Sequence, residues 1–244
     1  MKFLRTKITE IKRIKDLIIL KIPFKNFNIL PGQFFMIGTE KSNVLLNRPF
    51  SVSDFNGKLL TFRIKMVGKF TKFLTKLKSG DEIKIIGPCG NGLSFEELKK
   101  YEKIILIGGG IGIAPLIFFK TFLKKSIDSY LIFGIPSKNY LYFLNDIHLD
   151  NIIIYTEDGS YGNKGFPVNY LDKIENENTL VIACGPEPMY KALLNKNFET
   201  KVLVEQKMAC GFGACLGCVI ETIHGYKRVC IDGPVFDLRE IKWK

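Results

Sequence analysis

Cys210, Cys215, Cys218 and Cys230 follow the spacing C-x4-C-x2-C-x11-C, and Gly211, Gly213 and Gly217 lie among the first three. A chain with this run must fold part of itself as a loop that gathers thiols, then bring a later segment back with a fourth. The first three positions match the plant-type [2Fe-2S] spacing, in which a short loop offers three thiolates and a more distant strand the last. Glycines in such a loop permit positive φ and bring amide N–H groups near bridging sulfides. Four cysteines also serve zinc sites and disulfides. Zinc knuckles usually use two tight C-x2-4-C pairs, and this chain has one. The spacing favours the cluster and leaves the other two uses open.

The 244 residues, 46% of them hydrophobic, are enough for two modest cores with a cluster-bearing tail. The net charge of +12 comes from basic residues scattered through every segment with no sustained basic run. That pattern describes a solvated, lysine-rich surface and gives no nucleic-acid footprint. A docking face for an acidic protein or a membrane surface is the other use it leaves. The N-terminus, MKFLRTK, has charges interrupting each apolar run, unlike a signal peptide. The uncharged stretch from Ile104 to Phe119 is shorter than a membrane span and is broken by glycines and Pro115. A cytoplasmic chain without a membrane span, its cysteines reduced, is the expectation.

Residues 1 to about 90 carry short β-rich runs: Lys7 to Ile11, Leu17 to Ile22, Gln33 to Ile37, Phe50 to Ser53, Leu59 to Val67 and Glu82 to Ile86. Turn residues separate them, which predicts a small antiparallel barrel or sandwich with one helix near Thr71 to Leu77. Within it, Arg48-Pro49-Phe50-Ser51 places a guanidinium fork at a strand entry, suited to a phosphate, beside a hydroxyl suited to a planar ring. Alone the tetrapeptide is weak and reads first as an arginine on a barrel surface with a proline starting a strand. Arg63-Ile64-Lys65, then Gly68-Lys69-Phe70-Thr71 opening a helix, and then GPCGNG from Gly87 make it a candidate flavin nucleotide cradle.

From Lys103 the pattern changes to buried strands alternating with helices. Strands are expected at Ile104 to Ile107, Ser129 to Phe133, Ile152 to Tyr155, Leu180 to Ala183 and Lys201 to Glu205; helices at Ala114 to Lys124 and Glu187 to Asn195. Runs such as IILI and VIAC, apolar on both faces, belong to a covered parallel sheet. Its first strand runs into Gly108-Gly109-Gly110-Ile111-Gly112, a strand-to-helix turn that lets backbone approach a pyrophosphate. Later loops, TEDGSYGNKG from Thr156 and Cys184-Gly185-Pro186, fall at the ends of strands in the same sheet, where a dinucleotide lies. Cys184 is a candidate for touching a nicotinamide ring, with a small buried residue as the other reading. Cys89 reads as packing, and His148 and His224 have no partner spacing.

RPFS, GPCGNG, GGGIGIAPL with CGPEPM, and a cysteine cluster closed by CIDGPVF stand here in one order. That order resembles the ferredoxin-NADP reductase superfamily, and the tail EQKMACGFGACLGC resembles the electron transfer subunits of class 1B dihydroorotate dehydrogenase. The resemblance covers essentially the whole chain. It implies an FAD-binding β-barrel domain at 1–95, an NAD-binding α/β domain at 96–205 and a [2Fe-2S] domain at 206–244. FAD would be held by Arg48, Pro49, Phe50, Ser51, Arg63, Ile64, Lys65, Phe70 and Thr71. NAD(H) would lie against Gly109, Gly110, Gly112, Cys184, Gly185 and Pro186, and the cluster ligands would be Cys210, Cys215, Cys218 and Cys230. The implied activity is electron transfer between NAD and an FMN-containing dihydroorotate dehydrogenase catalytic subunit, in a heterotetramer of two plus two, serving pyrimidine biosynthesis. No acid-base catalyst for a carbon substrate is evident in the sequence, so the pyrimidine site is assigned to that partner.

One departure stands out: the family pattern Gly-x-Gly-Thr is here Gly68-Lys69-Phe70-Thr71, which puts bulk where glycine backbone would approach a phosphate. The alternative within enzymes is a flavin and iron-sulfur subunit of an NADPH-dependent ferredoxin or sulfide oxidoreductase. Outside enzymes it is a zinc-stabilised binding module on a reductase-like fold. The segment after the second parallel strand, Gly134 to Asn139, contains Lys138 and no acidic residue, so NADH is preferred over NADPH by resemblance alone.

Overall fold

The computed structural model describes residues 1–25, 27–123 and 126–243. Eight strands precede residue 90: Lys2–Lys7 (β1), Glu10–Ile14 (β2), Leu17–Pro23 (β3), Phe34–Gly38 (β4), Arg48–Ser51 (β5), Asp54–Phe55 (β6), Leu59–Lys65 (β7) and Glu82–Cys89 (β8). They form two four-stranded antiparallel sheets, β1-β8-β4-β5 and β2-β3-β7-β6. Strand β8 shows the alternating burial of a sheet with one face on a core. Phe35, Phe62, Ile18 and Ile85 fill the space between the sheets.

The run expected at Lys7 to Ile11 is two strands, because the Ile8 N–H donates to Asp81 O while the next amide, Thr9 N–H, donates to Lys21 O. The chain changes sheets there. Strand β1 escapes a hydrophobicity reading because KFLRTK is charged and largely exposed, as befits an edge strand that must not template another chain. The helix is Lys69–Leu74 (α1), earlier and shorter than expected. A four-residue helix at Phe95–Leu98 (α2), capped by Ser94 and Glu97, leads out of the barrel.

The central sheet consists of Lys103–Gly109 (β9), Asp128–Ile135 (β10), Ile152–Thr156 (β11), Asn163–Lys164 (β12), Thr179–Cys184 (β13) and Glu199–Leu203 (β14), all parallel. Beyond it, Val219–Thr222 (β15) and Gly225–Arg228 (β16) form a hairpin. Val235–Asp237 (β17) then adds to β14 antiparallel, so the sheet order is β12-β11-β10-β9-β13-β14-β17 and the sheet is mostly parallel. The chain tail is thus woven into the central sheet.

The helix Ile113–Leu123 (α3), IAPLIFFKTFL, has no polar face, which requires burial on every side. Leu116 and Phe119 pack with the sheet, whereas Phe118 belongs to the barrel core, and Thr121 donates to Asp54 Oδ1 at 3.2 Å. This helix therefore fixes the barrel against the sheet. Lys124, its expected end, lies outside the described residues. Glu187–Leu194 (α4) covers the other face, where Tyr190 donates to Leu203 O at 2.8 Å. No helix among the described residues is long and apolar enough to cross a membrane.

Candidate functional site

A cavity of about 730 Å³ runs along the carboxyl ends of the parallel strands. Gly109, Gly110 and Gly112 line it from the end of β9, and Gly185 and Pro186 from the end of β13. The geometry needs glycine. A Cβ on Gly112 would sit 2.2 Å from Cys184 O, and one on Gly109 would sit 2.8 Å from Pro186 Cδ. Gly110 has φ +54° and nothing within 4 Å of its Cβ position, so its backbone faces open space where α3 begins. That is a cradle a side chain would fill, and it fits the pyrophosphate of a dinucleotide. Cys184 itself is buried at 1% exposure and does not line the cavity. Burial drives its thiol well above the ordinary value, with Glu205 adding to the shift and a hydrogen bond with Tyr190 opposing it.

A second cavity, of about 340 Å³, lies between the barrel and α3. Pro49, Phe50, Ser51, Arg63, Ile64, Lys65 and Thr71 line it. The wall is largely apolar, with Ser51, Thr71, Arg63 and Lys65 and also Glu205 and Gln206 as its polar residues, a mixture that suits a flavin nucleotide, whose ring is apolar and whose phosphates are anionic. Arg48 lies instead on an adjoining cavity of about 650 Å³ that shares Pro49, Glu205, Gln206 and Met208 with the flavin-sized one. Its Nη1 donates to Leu46 O at 2.9 Å.

Three side chains take unexpected directions. Phe70 is buried and stacks on Phe50 with centroids 6.2 Å apart, so its bulk enters the barrel core and not the cavity. The Thr71 hydroxyl accepts from Val67 N–H at 2.9 Å and Gly68 N–H at 3.0 Å, which closes the start of α1. Arg63 is 7% exposed and donates to Phe143 O at 3.2 Å and Asn145 O at 2.7 Å. Burial lowers its pKa to about 10, against the pull of Asp146 and Asp54. Because Phe143 lines the nucleotide cavity, this guanidinium ties the barrel to that cavity's wall. Arg63→Ala is expected to cost about 1–3 kcal/mol by leaving the buried Phe143 carbonyl unpaired, read as a lowered denaturation midpoint.

The cysteines are arranged as two neighbouring pairs. Cys210 and Cys215 interact with each other, and the Cys230 N–H reaches Cys218 Sγ at 3.4 Å. Gly211 and Gly213 have φ of +79° and +82°, and Leu216 of +56°, which turns successive amides inward. Phe212 N–H lies 3.5 Å from Cys210 Sγ, and Gly217 N–H 3.4 Å from Cys215 Sγ. Burial raises the Cys210 thiol, but the amides of Phe212, Cys215 and Ala214 and the Cys215 side chain outweigh it and bring the pKa to about 6. Cys230 is pushed up to about 12, by burial first and then by Cys218. Two thiol pairs under inward amides fit the ligands of a two-iron cluster.

The cavities meet. Lys65, Ile111 and Glu205 line both the nucleotide and the flavin-sized cavity, and Met208, two residues before Cys210, lines the latter. Glu205 opens the tail EQKMACGFGACLGC but has no assigned role of its own there; loss of solvation raises its carboxyl above the ordinary value.

The family described as iron-sulfur cluster binding domain of dihydroorotate dehydrogenase B matches residues 205–242, and the oxidoreductase FAD-binding domain matches residues 6–93. Curated relatives named dihydroorotate dehydrogenase B (NAD(+)), electron transfer subunit, are 38% identical in Clostridium perfringens, over 100% of this chain and 99% of that protein. The one in Clostridium acetobutylicum is also 38% identical, over 96% and 95%. Among solved structures, a chain of the NADH-dependent reduced ferredoxin-NADP oxidoreductase aligns with TM-score 0.84 at 28% identity, covering 98% of this chain and 90% of that one. A ferredoxin-NADP reductase from Neisseria gonorrhoeae, at 19% identity and TM-score 0.64 over 81% of this chain and 92% of that one, shares the fold.

Proposed function

The chain belongs to the electron transfer subunits of NAD-dependent dihydroorotate dehydrogenase B, and on that premise we propose which of its residues hold each carrier and where the partner docks. As a member it is an oxidoreductase subunit using FAD, an iron-sulfur cluster and NAD, and it works with a catalytic partner subunit. The names of the relatives disfavour the alternative of an NADPH-dependent ferredoxin or sulfide oxidoreductase subunit. FAD, when bound, converts between a two-electron hydride carrier and the one-electron [2Fe-2S] cluster.

In this reading Arg48 to Ser51, Arg63 to Lys65, Phe70 and Thr71 form the flavin site, some by side chain and some, like Phe70, by shaping the wall. Gly109, Gly110, Gly112, Gly185 and Pro186 take the dinucleotide, with Cys184 packing behind them. Cys210, Cys215, Cys218 and Cys230 would hold the [2Fe-2S] cluster. The three units would divide near residues 95 and 205, with β17 returning to the central sheet. One observation carries the reading: the segment from Glu205 to Met208 borders the flavin-sized cavity and leads directly into the cysteine loop. Adjacent carriers are what a relay needs, and the chain's task is to position them and exclude water.

Phe212, Leu216 and Ile231 are exposed apolar residues beside the cysteines, at 44%, 60% and 36%. Such a patch marks the face that meets the FMN-containing catalytic subunit, in a cytoplasmic heterotetramer of two plus two. Neither nucleic acid nor a membrane enters this account. The isolated chain is expected to reduce dyes with NADH and not to oxidise dihydroorotate. Anaerobic assays of the chain alone check this, and strong dihydroorotate oxidation by it would defeat the subunit assignment.

A further inference from the structure

One wall of the nucleotide cavity is held by the barrel. After β10 the chain runs through a short 3-10 helix, Lys138–Leu144, from which Tyr140 and Phe143 line the cavity. Among the described residues, every side-chain hydrogen bond that reaches 139–146 from beyond Ser137 comes from β2, β7 or the turn between β2 and β3. On β7, Arg63 binds the Phe143 and Asn145 carbonyls, and Lys65 Nζ lies 5.9 Å from the centre of the Phe143 ring. From β2, Lys12 Nζ meets Asp146 Oδ2 at 2.9 Å. At the turn, the Tyr142 hydroxyl donates to Asp16 Oδ1, while Lys15 Nζ donates to Asn139 O at 3.0 Å and lies 4.9 Å from the centre of the Tyr142 ring.

The barrel alone does not explain that turn. Lys15 has φ +55°, and a two-residue hairpin turn in the left-handed region favours Asn or Gly over lysine. What lysine adds is reach to the segment. Asp16 and Tyr142 line neither the nucleotide cavity nor the flavin-sized one. Burial, and then the bond to Asp16, raise the Tyr142 hydroxyl above its ordinary value, so it stays protonated and donating at neutral pH. Phe143 links the two sites: its ring lines the nucleotide cavity and meets Phe133 of β10 edge-on at 6.5 Å, and its carbonyl is bound by Arg63, which lines the flavin-sized cavity. The barrel therefore sets where this wall stands relative to both.

We propose that Asp16 is a positioning residue for the nicotinamide nucleotide: through Tyr142 it fixes the Lys138–Leu144 wall against the barrel, so that a nucleotide in one cavity is presented to the other in a single geometry. This rests on the reading of the larger cavity as the nucleotide site. It adds a residue that lines neither cavity. Exchange between two carriers is sensitive to such placement, since a shift of about 1 Å can cost on the order of a hundredfold in rate.

The test compares Asp16→Ala, Asp16→Asn and Tyr142→Phe in the FAD-loaded chain, by titration calorimetry with NAD+ and by stopped-flow bleaching of the flavin at saturating NADH. Asp16→Ala and Tyr142→Phe are each expected to weaken NAD+ binding about fivefold or more. Both are expected to slow the saturated bleaching about tenfold or more, at unchanged FAD content and visible spectrum. Asp16→Asn keeps an oxygen that accepts from the tyrosine hydroxyl and is expected to stay within about twofold in both measurements. Because the two side chains act as one pair, the double variant of Asp16→Ala with Tyr142→Phe is expected to be no weaker than either single variant. A lowered melting temperature with wild-type affinity and rate in Asp16→Ala would show a bond that only supports the fold, and effects that add in the double variant would show that the two act separately. Either would overturn the proposal. A wild-type chain that does not bind NAD+ would instead overturn the cavity reading beneath it.

Discussion

Cys215→Ser is expected to abolish the visible absorbance and paramagnetic signal of the cluster while most of the FAD stays bound. Cys215 is an exposed member of the first thiol pair, and its sulfur receives the Gly217 N–H at 3.4 Å. Serine keeps the size but not the soft thiolate that iron-sulfur clusters take as ligand. The other thiol beside the loop, Cys89, is buried on β8 at 3% exposure with its sulfur 3.4 Å from Ile86 O, so it does not replace the lost ligand. The flavin-sized cavity draws mostly on β5, β7, α1 and the start of α3, and only the segment ending at Met208 borders it from the loop side, so most of its lining stays when the cluster is lost. Anaerobic purification with iron, sulfide and flavin determination checks this. A normal cluster spectrum in the variant would show the ligand set to be wrong.

The second large effect is expected from one methyl group. In Gly112→Ala the new Cβ would meet Cys184 O at 2.2 Å and Cys184 C at 2.6 Å, and both are backbone atoms that cannot rotate aside. Forcing the turn away from β13 is an overpacking change of about 1–3 kcal/mol. For a chain of this size that corresponds to a fall of roughly 2–12 °C in melting temperature. The same displacement moves the Gly110 backbone out of the cradle, so NADH affinity is expected to fall at least about tenfold, or ~1.4 kcal/mol. Thermal unfolding and NADH titration of the FAD-loaded variant check both, and wild-type values in both would show that the turn does not need its close approach to β13.

The elements most legible in the sequence were those whose chemistry is local. Ile104 to Ile107 followed by glycines predicts a buried strand turning into a helix, and β9, the Gly110 turn and α3 are there because backbone must pass within contact of Cys184 and Pro186. The reductase-like architecture, the FAD domain and the iron-sulfur domain are likewise those of the family. What could not be read depends on distant partners. Strand β1 is charged and pairs only once β8 exists, and β17 is three residues whose strand character comes from lying on β14.

Side-chain direction was equally hidden. Arg63 lies in a strand run that suits a phosphate clamp, yet its guanidinium reaches Phe143 and Asn145, some eighty residues away in sequence. Phe70 occupies a glycine position of the family pattern, but only the ring of Phe50 in the folded barrel shows where its bulk goes. Glu157 and Glu205 lie in runs the sequence marks, TEDGSYGNKG and EQKMACGFGACLGC, but that the two line one cavity appears only when the strands before them are placed in the sheet.

The relay itself is tested most directly by dihydroorotate-driven NADH formation in the complex of this chain with its catalytic partner, comparing the wild-type chain with Cys215→Ser at equal FAD content. The wild-type complex is expected to form NADH, each subunit alone to form none, and the cluster-free complex to lose the coupled activity while NADH still bleaches its FAD. NADH formation at the wild-type rate without the cluster would contradict the account, because electrons would then reach NAD by a route that bypasses the four cysteines.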